Sequence, residues 1–306
     1  MRLTTTLAGL CLAFSAPAFS GSPRSDASWG GAQDAAVPPG ATPSPPSETD
    51  PPPAVTITGS VALVSDYRFR GVSQSDKELA VQGGATLNHE SGLYGGFWAS
   101  NLAGWGTFGG PNVELDLLAG YKFKPSENAT LDIGVTYYMY PGGADETDFF
   151  EPYVKLSGTA GPLSLTAGVA YAPKQQALGR WYFTGADAAA GVYNDPGDKE
   201  DNLYVFGDAA AGLPGTPLTL KGHIGYSDGN RGLGPNATSV APTGTYFDWL
   251  LGVDATWRNL TLGVAYVDTD IRPRDAALIR PSFSKGQDGV GSISDPTVVF
   301  SLTAAF

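Results

Sequence analysis

Thiols are nearly absent from this 306-residue chain: its only cysteine is Cys11, so neither a disulfide framework nor a cysteine metal site is open to the body of the protein. Histidine is almost as scarce, with His89 and His223 alone. A Ser-His hydrolase needs an imidazole beside its nucleophile, and two isolated histidines offer no metal-ligand spacing either. No Walker-type phosphate loop is present. The expectation is a protein that is not an enzyme and carries no cofactor. Basic residues are also few, 18 Lys and Arg against 30 Asp and Glu for a net charge of −12. Phosphate backbones need clustered cations, so nucleic acid is not expected as a partner. After the N-terminal segment there is no apolar run near the ~18 residues that a spanning helix requires.

What is plentiful points to strands and turns. The chain holds 41 Gly and 24 Pro, which helix interiors tolerate badly, and 11% aromatic residues, which strands favour. Three regions separate by composition. Residues 1–20 combine Arg2, the apolar LTTTLAGLCLAF and small residues around Ala18, the grammar of a secretory signal peptide cleaved near Ser20. Leu10 stands where a lipoprotein signal would need a small residue, so acylation of Cys11 is not expected. Residues 21–54 are rich in Gly, Ser, Ala and Pro and end in PSPPSETDPPP, a linker without the apolar side chains for a core. Residues 55–306 carry the fold.

That third region alternates with a period of two. From Val55 to Phe69 the odd positions are mostly apolar and the even ones mostly polar, the pattern of one long strand with two unlike faces. The same pattern recurs at 79–89, 93–102, 113–124, 131–139, 147–157, 163–171, 202–212, 218–228, 245–257, 260–268 and 297–306, twelve strands in all. Connections alternate too. Short turns such as 125–129 and Arg258-Asn259 take turns with long loops such as 172–201, 229–244 and 269–296. A meander that crosses a bilayer sorts its connections in this way, whereas a soluble sandwich has no reason to. The expected fold is therefore all-β, a transmembrane antiparallel up-and-down barrel of about 12 strands in the bacterial outer membrane, with both mature termini in the periplasm. Apolar-face aromatics gather at the strand ends as interfacial girdles do: Tyr67, Phe69, Tyr171, Tyr226, Phe247, Trp249 and Tyr266 by the long loops, Tyr121, Phe123, Trp257 and Phe306 by the short turns. The closing TVVFSLTAAF, with Phe306 last on its apolar face, fits a strand recognised by the barrel-assembly machinery.

The segments VSDYRFRGVSQSDKELAVQGG, HESGLYGGFWASN, VELDLLAGYKF and LDIGVTYYMYPG resemble the TorF family of bacterial outer-membrane proteins assigned as porins. The likeness is specific over Val64 to Gly142 and looser beyond it. It implies a signal peptide, an outer-membrane barrel and a porin-like role. The Pro-rich arm and the expanded loops at 172–201 and 269–296 depart from the family pattern.

If the apolar face meets lipid, the alternate residues line the lumen. They are Asp66, Arg68 and Arg70 on the first strand, Glu114, Asp116 and Lys122 on the fourth and Asp132 on the fifth. Glu151, Lys155, Asp208, Lys221, His223, Asp248 and Asp254 follow. Arginines 68 and 70 facing acids such as Glu114 and Asp116 would make a charged constriction with a weak preference for cations. Lys122 and Asp132 should be neighbours across the 125–129 turn. The expected function is passive diffusion of small polar solutes, in contact with outer-membrane lipid and lipopolysaccharide. The alternative is a closed structural or surface-interaction barrel, whose mark would be a lumen filled by paired charges and by Tyr138, Tyr204 and Phe206. The acids at Asp195, Asp198, Glu200 and Asp201 lack calcium-loop spacing and read as surface charge.

Overall fold

A computed structural model describes residues 54–104, 111–143, 147–179, 190, 197–229, 244–272 and 292–306. The expected signal peptide and nearly all of the linker lie outside the described residues. Among the described residues fourteen strands follow one another: β1 Val55–Val64, β2 Arg68–Phe69, β3 Val72–Ser73, β4 Ala80–His89, β5 Leu93–Asn101, β6 Val113–Ser126 and β7 Ala129–Met139. Then come β8 Phe149–Ala160, β9 Leu163–Gln175, β10 Glu200–Gly212, β11 Leu218–Gly229, β12 Tyr246–Trp257, β13 Leu260–Thr269 and β14 Thr297–Ala305. Twelve of them, β1 and β4 to β14, form one closed antiparallel barrel in which each pairs with its neighbours in sequence and β14 returns to β1. Residues 93–101 and 149–160 are full members, although large inward side chains (Tyr94, Trp98, Phe149) blur their alternation.

Register turns the alternation into two surfaces. Outward positions are aliphatic or aromatic, with Ile57 67%, Leu251 66% and Leu262 61% exposed. A continuous apolar wall of this size has no place in water; hydrocarbon covers it. The rim aromatics Tyr171, Phe247 and Tyr266 are exposed on this wall at the long-loop end, and Tyr121, Phe123, Trp257 and Phe306 at the other. Phe306 also seals the closure. Its backbone exchanges two 2.9 Å hydrogen bonds with Gly59, and its ring lies over the place a Cβ of Gly59 would take. No helix among the described residues is long and apolar enough to cross a membrane.

The interior is packed by large rings laid across glycines of neighbouring strands. Phe206 covers Gly168, Tyr204 covers Gly225, and Tyr94 and Tyr153 meet over Gly134. A side chain at any of these glycines would collide with the ring, so the small residue and the aromatic are one packing unit.

The first strand departs from expectation. It ends at Val64 rather than Phe69, and residues 65–79 turn into the barrel carrying the short hairpin β2–β3. Arg70 (φ 47°) and Gly71 (φ 80°) form its two-residue turn, the paired left-handed conformation that hairpin turns of this length use. Tyr67 and Phe69 are therefore interior, at 5% and 2% exposure, and not part of the lipid-facing girdle.

Candidate functional site

The hairpin β2–β3 is the centre of the interior. Asp66 ties its base together: its carboxylate accepts the Arg68 Nε–H at 2.6 Å, the Ser73 hydroxyl at 2.5 Å and the Ser75 hydroxyl at 3.4 Å. Arg68 Nη1 also donates to the carbonyls of Gly71 (2.9 Å) and Asp295 (3.1 Å), linking the hairpin to the β13–β14 connection. At the tip, Arg70 Nη2 donates to both oxygens of Glu151 on β8, at 2.7 and 2.8 Å. Its guanidinium stacks 4.0 Å from the centroid of the Tyr204 ring on β10, and its carbonyl accepts the Tyr246 hydroxyl of β12 at 3.0 Å. In the closed order β8 and β10 flank β9, which stands opposite β1, while β12 lies a quarter of the way round, so the hairpin crosses the bore.

Two apolar clusters hold it there. Phe69 meets Tyr138 edge to face, and Tyr138 stacks on Phe149 with ring centroids 4.5 Å apart. On the other side Val72 packs with Tyr246 and Ile293. Arg68, Arg70, Tyr138, Tyr204 and Glu151 are all buried to 2% exposure or less, as in a protein core.

Apart from Glu114 and Asp116, the remaining lumen residues form three further groups. His223 on β11 sits between two acids, with Nδ1 2.7 Å from Asp208 and Nε2 3.2 Å from Asp248, and the Tyr204 hydroxyl is 2.9 Å from Nε2. Lys221 pairs with Asp254 at 2.6 Å. Asp132 accepts the Tyr94 hydroxyl at 2.6 Å, and that hydroxyl also meets the one of Tyr153. As the short turn dictates, Lys122 is the cross-strand neighbour of Asp132, and Lys155 flanks it on the opposite side. The ammonium groups of Lys122 and Lys155 lie over the rings of Tyr94 and Tyr153, at 4.6 and 4.0 Å.

All fourteen residues expected to line the lumen are interior, but three placements differ. Asp66 is at the base of the inserted hairpin and Arg68 and Arg70 are on it, none of them on the first barrel strand, because the chain turns inward at Ser65. The partners of the two arginines are Asp66 and Glu151 rather than Glu114 and Asp116. Outside the lumen, Asp201 accepts the Tyr171 hydroxyl at 2.7 Å and Glu200 lies 4.0 Å from Lys174, while Asp195 is outside the described residues. Sequence reasoning missed one motif, the Gly-x-Ser-x-Gly pentad Gly225 to Gly229. It lies within β11, not at a strand-to-helix elbow. Ser227 and His223 are four strand residues apart, about 13 Å, and cannot pair.

These features define a transmembrane barrel whose charged interior is crossed by its own hairpin. The chain belongs to the Gcw_chp family, described as a bacterial protein of unknown function, whose profile matches residues 48–306. No curated protein matches by sequence. Among solved structures, the NanC porin aligns over 82% of this chain and 99% of its own at 10% identity, with a TM-score of 0.49. The KdgM porin aligns over 82% and 97% at 8% identity and a TM-score of 0.44. An outer-membrane channel from Pseudomonas putida aligns over 85% and 99% at 11% identity and a TM-score of 0.42. The strand pairing of the chain itself, not these likenesses, defines the fold.

Proposed function

We propose that the protein is a porin-like channel of the bacterial outer membrane. Small polar solutes diffuse through a charged lumen that the hairpin narrows. The carrying observation is the sorting of side chains: Glu114, Asp116, Lys122, Asp132, Glu151, Lys155, Lys221, Asp248 and Asp254 face inward, behind a wall that is apolar outward. Charges on the lipid side would each cost about 2–4 kcal/mol for a cation at midplane, and a sealed interior needs none. The resemblance of Val64 to Gly142 to the TorF family supports the same reading. In this reading residues 1–20 direct export, 21–54 form a linker, the β14 strand ending in Phe306 engages the barrel-assembly machinery, and the rim meets lipopolysaccharide.

Both mature termini then face the periplasm with the short turns. A cysteine placed in the turn Glu127-Asn128 is expected to resist an impermeant thiol reagent on intact cells and to react after the outer membrane is opened; labelling on intact cells would reverse the orientation.

One observation favours a second reading, a closed barrel with a structural or surface role. Tyr138, Tyr204 and Phe206 are buried at the level of the hairpin, where Arg70 spans to Glu151. Planar-bilayer recordings on the folded, heat-modifiable barrel separate the two. Discrete conductance steps, smaller than those of an open ~16-strand porin, are expected from a channel. Silence from a correctly folded barrel would leave the closed reading standing.

A further inference from the structure

Glu114 and Asp116 project from β6 into the interior two residues apart, so their Cα atoms are separated by about 6.7 Å along one face. Glu114 is 0% and Asp116 2% exposed, yet Glu114 Oε2 and Asp116 Oδ1 have no hydrogen-bond partner among the described residues. The other oxygen of Glu114 accepts the Tyr67 hydroxyl at 3.0 Å. Across the sheet, Ser100 on β5 stands opposite Glu114, directs its proton to the Asn101 carbonyl at 3.1 Å and accepts from Gln82 Nε2 at 3.5 Å, so it donates to neither acid. Asp116 lies in register between Trp98 and Tyr138. The two arginines of the hairpin are engaged by Asp66 and Glu151.

We infer that Glu114 and Asp116 hold a hard divalent cation of the calcium type. Two buried carboxylate oxygens without donors call for positive charge. The ligands on these two side chains are oxygens, which select a hard ion, and at 0% and 2% exposure the acids are open to no large organic cation. No three His, Cys, Asp or Glu side chains among the described residues group as a metal site on their own. Water therefore completes the coordination. The site is a property of the barrel whether or not the lumen conducts.

Terbium is the probe, because Trp98 next to the acids would sensitise its emission. Folded barrel in detergent is expected to give tryptophan-excited terbium emission that calcium displaces. Glu114→Gln together with Asp116→Asn should weaken terbium binding on the order of tenfold or more, and the single isosteric Asp116→Asn serves where the pair does not fold. Trp98→Phe should dim the emission while calcium binding, followed by calorimetry, persists. Emission that survives loss of both acids would assign the ion to surface carboxylates, and absence of calcium-displaceable emission would mean that the two acids carry protons instead; either result overturns the site.

Discussion

Alanine in place of Arg70 is expected to release the hairpin from the far wall of the barrel. The guanidinium is buried, donates from Nη2 to both oxygens of Glu151 and lies on the Tyr204 ring. Removing it strands a buried carboxylate, and breaking one partner of such a pair typically costs about 3–5 kcal/mol. Even 3 kcal/mol shifts the ratio of docked to undocked hairpin on the order of 100-fold. Limited proteolysis should then cut within residues 65–79 in the variant and spare the wild type, and single-channel conductance should rise. Arg70→Lys is expected to be intermediate, since an ammonium keeps the charge for Glu151 but lacks the planar face that lies on the Tyr204 ring. Removing Glu151 as well should recover part of the loss, because no charge is left unpaired. A variant as resistant to protease as the wild type would show that the apolar clusters around Phe69 and Val72 hold the hairpin by themselves.

Arginine at Leu251 is expected to be the most damaging change on the outer surface. Leu251 is 66% exposed at the middle of β12, pointing away from the lumen, so the new charge would meet hydrocarbon at about 2–4 kcal/mol. Urea unfolding in lipid vesicles should show that loss for Leu251→Arg and a much smaller one for Leu251→Ala. Equal midpoints for the two variants would mean that this wall does not sit in the bilayer.

The barrel was legible because period two, outward apolarity and alternating loop length are separate signals that agree. The neighbours Lys122 and Asp132 were legible for a local reason: the turn after Ser126 fixes their register. The hairpin was not, and the reason is physical. Strand alternation continues through Tyr67 and Phe69 because the hairpin is itself extended chain, so periodicity alone cannot report that the path has left the wall. Arg70-Gly71, a two-residue turn step, was the one local mark. The contacts of Arg70 with Glu151 and of Arg68 with the Asp295 carbonyl depend on where the hairpin lands across the bore, which no spacing in the sequence encodes. The buried donor-poor acids Glu114 and Asp116 read as ordinary lumen charges for the same reason.

Closure through β1 and β14 sets an order of events for making this molecule. Ser60 pairs with Ala305, so two strand edges stay open, each a template for wrong partners, until β14 is in place. Pairing of such distant segments is intrinsically slow. The hairpin adds a second dependency: although it follows β1 directly, its anchors are Glu151, Tyr204, Tyr246 and the Asp295 carbonyl, which come together only when the cylinder is complete. The earliest-made part of the interior is thus the last to settle, and both margins of the sheet are unpaired while its own centre is still vacant.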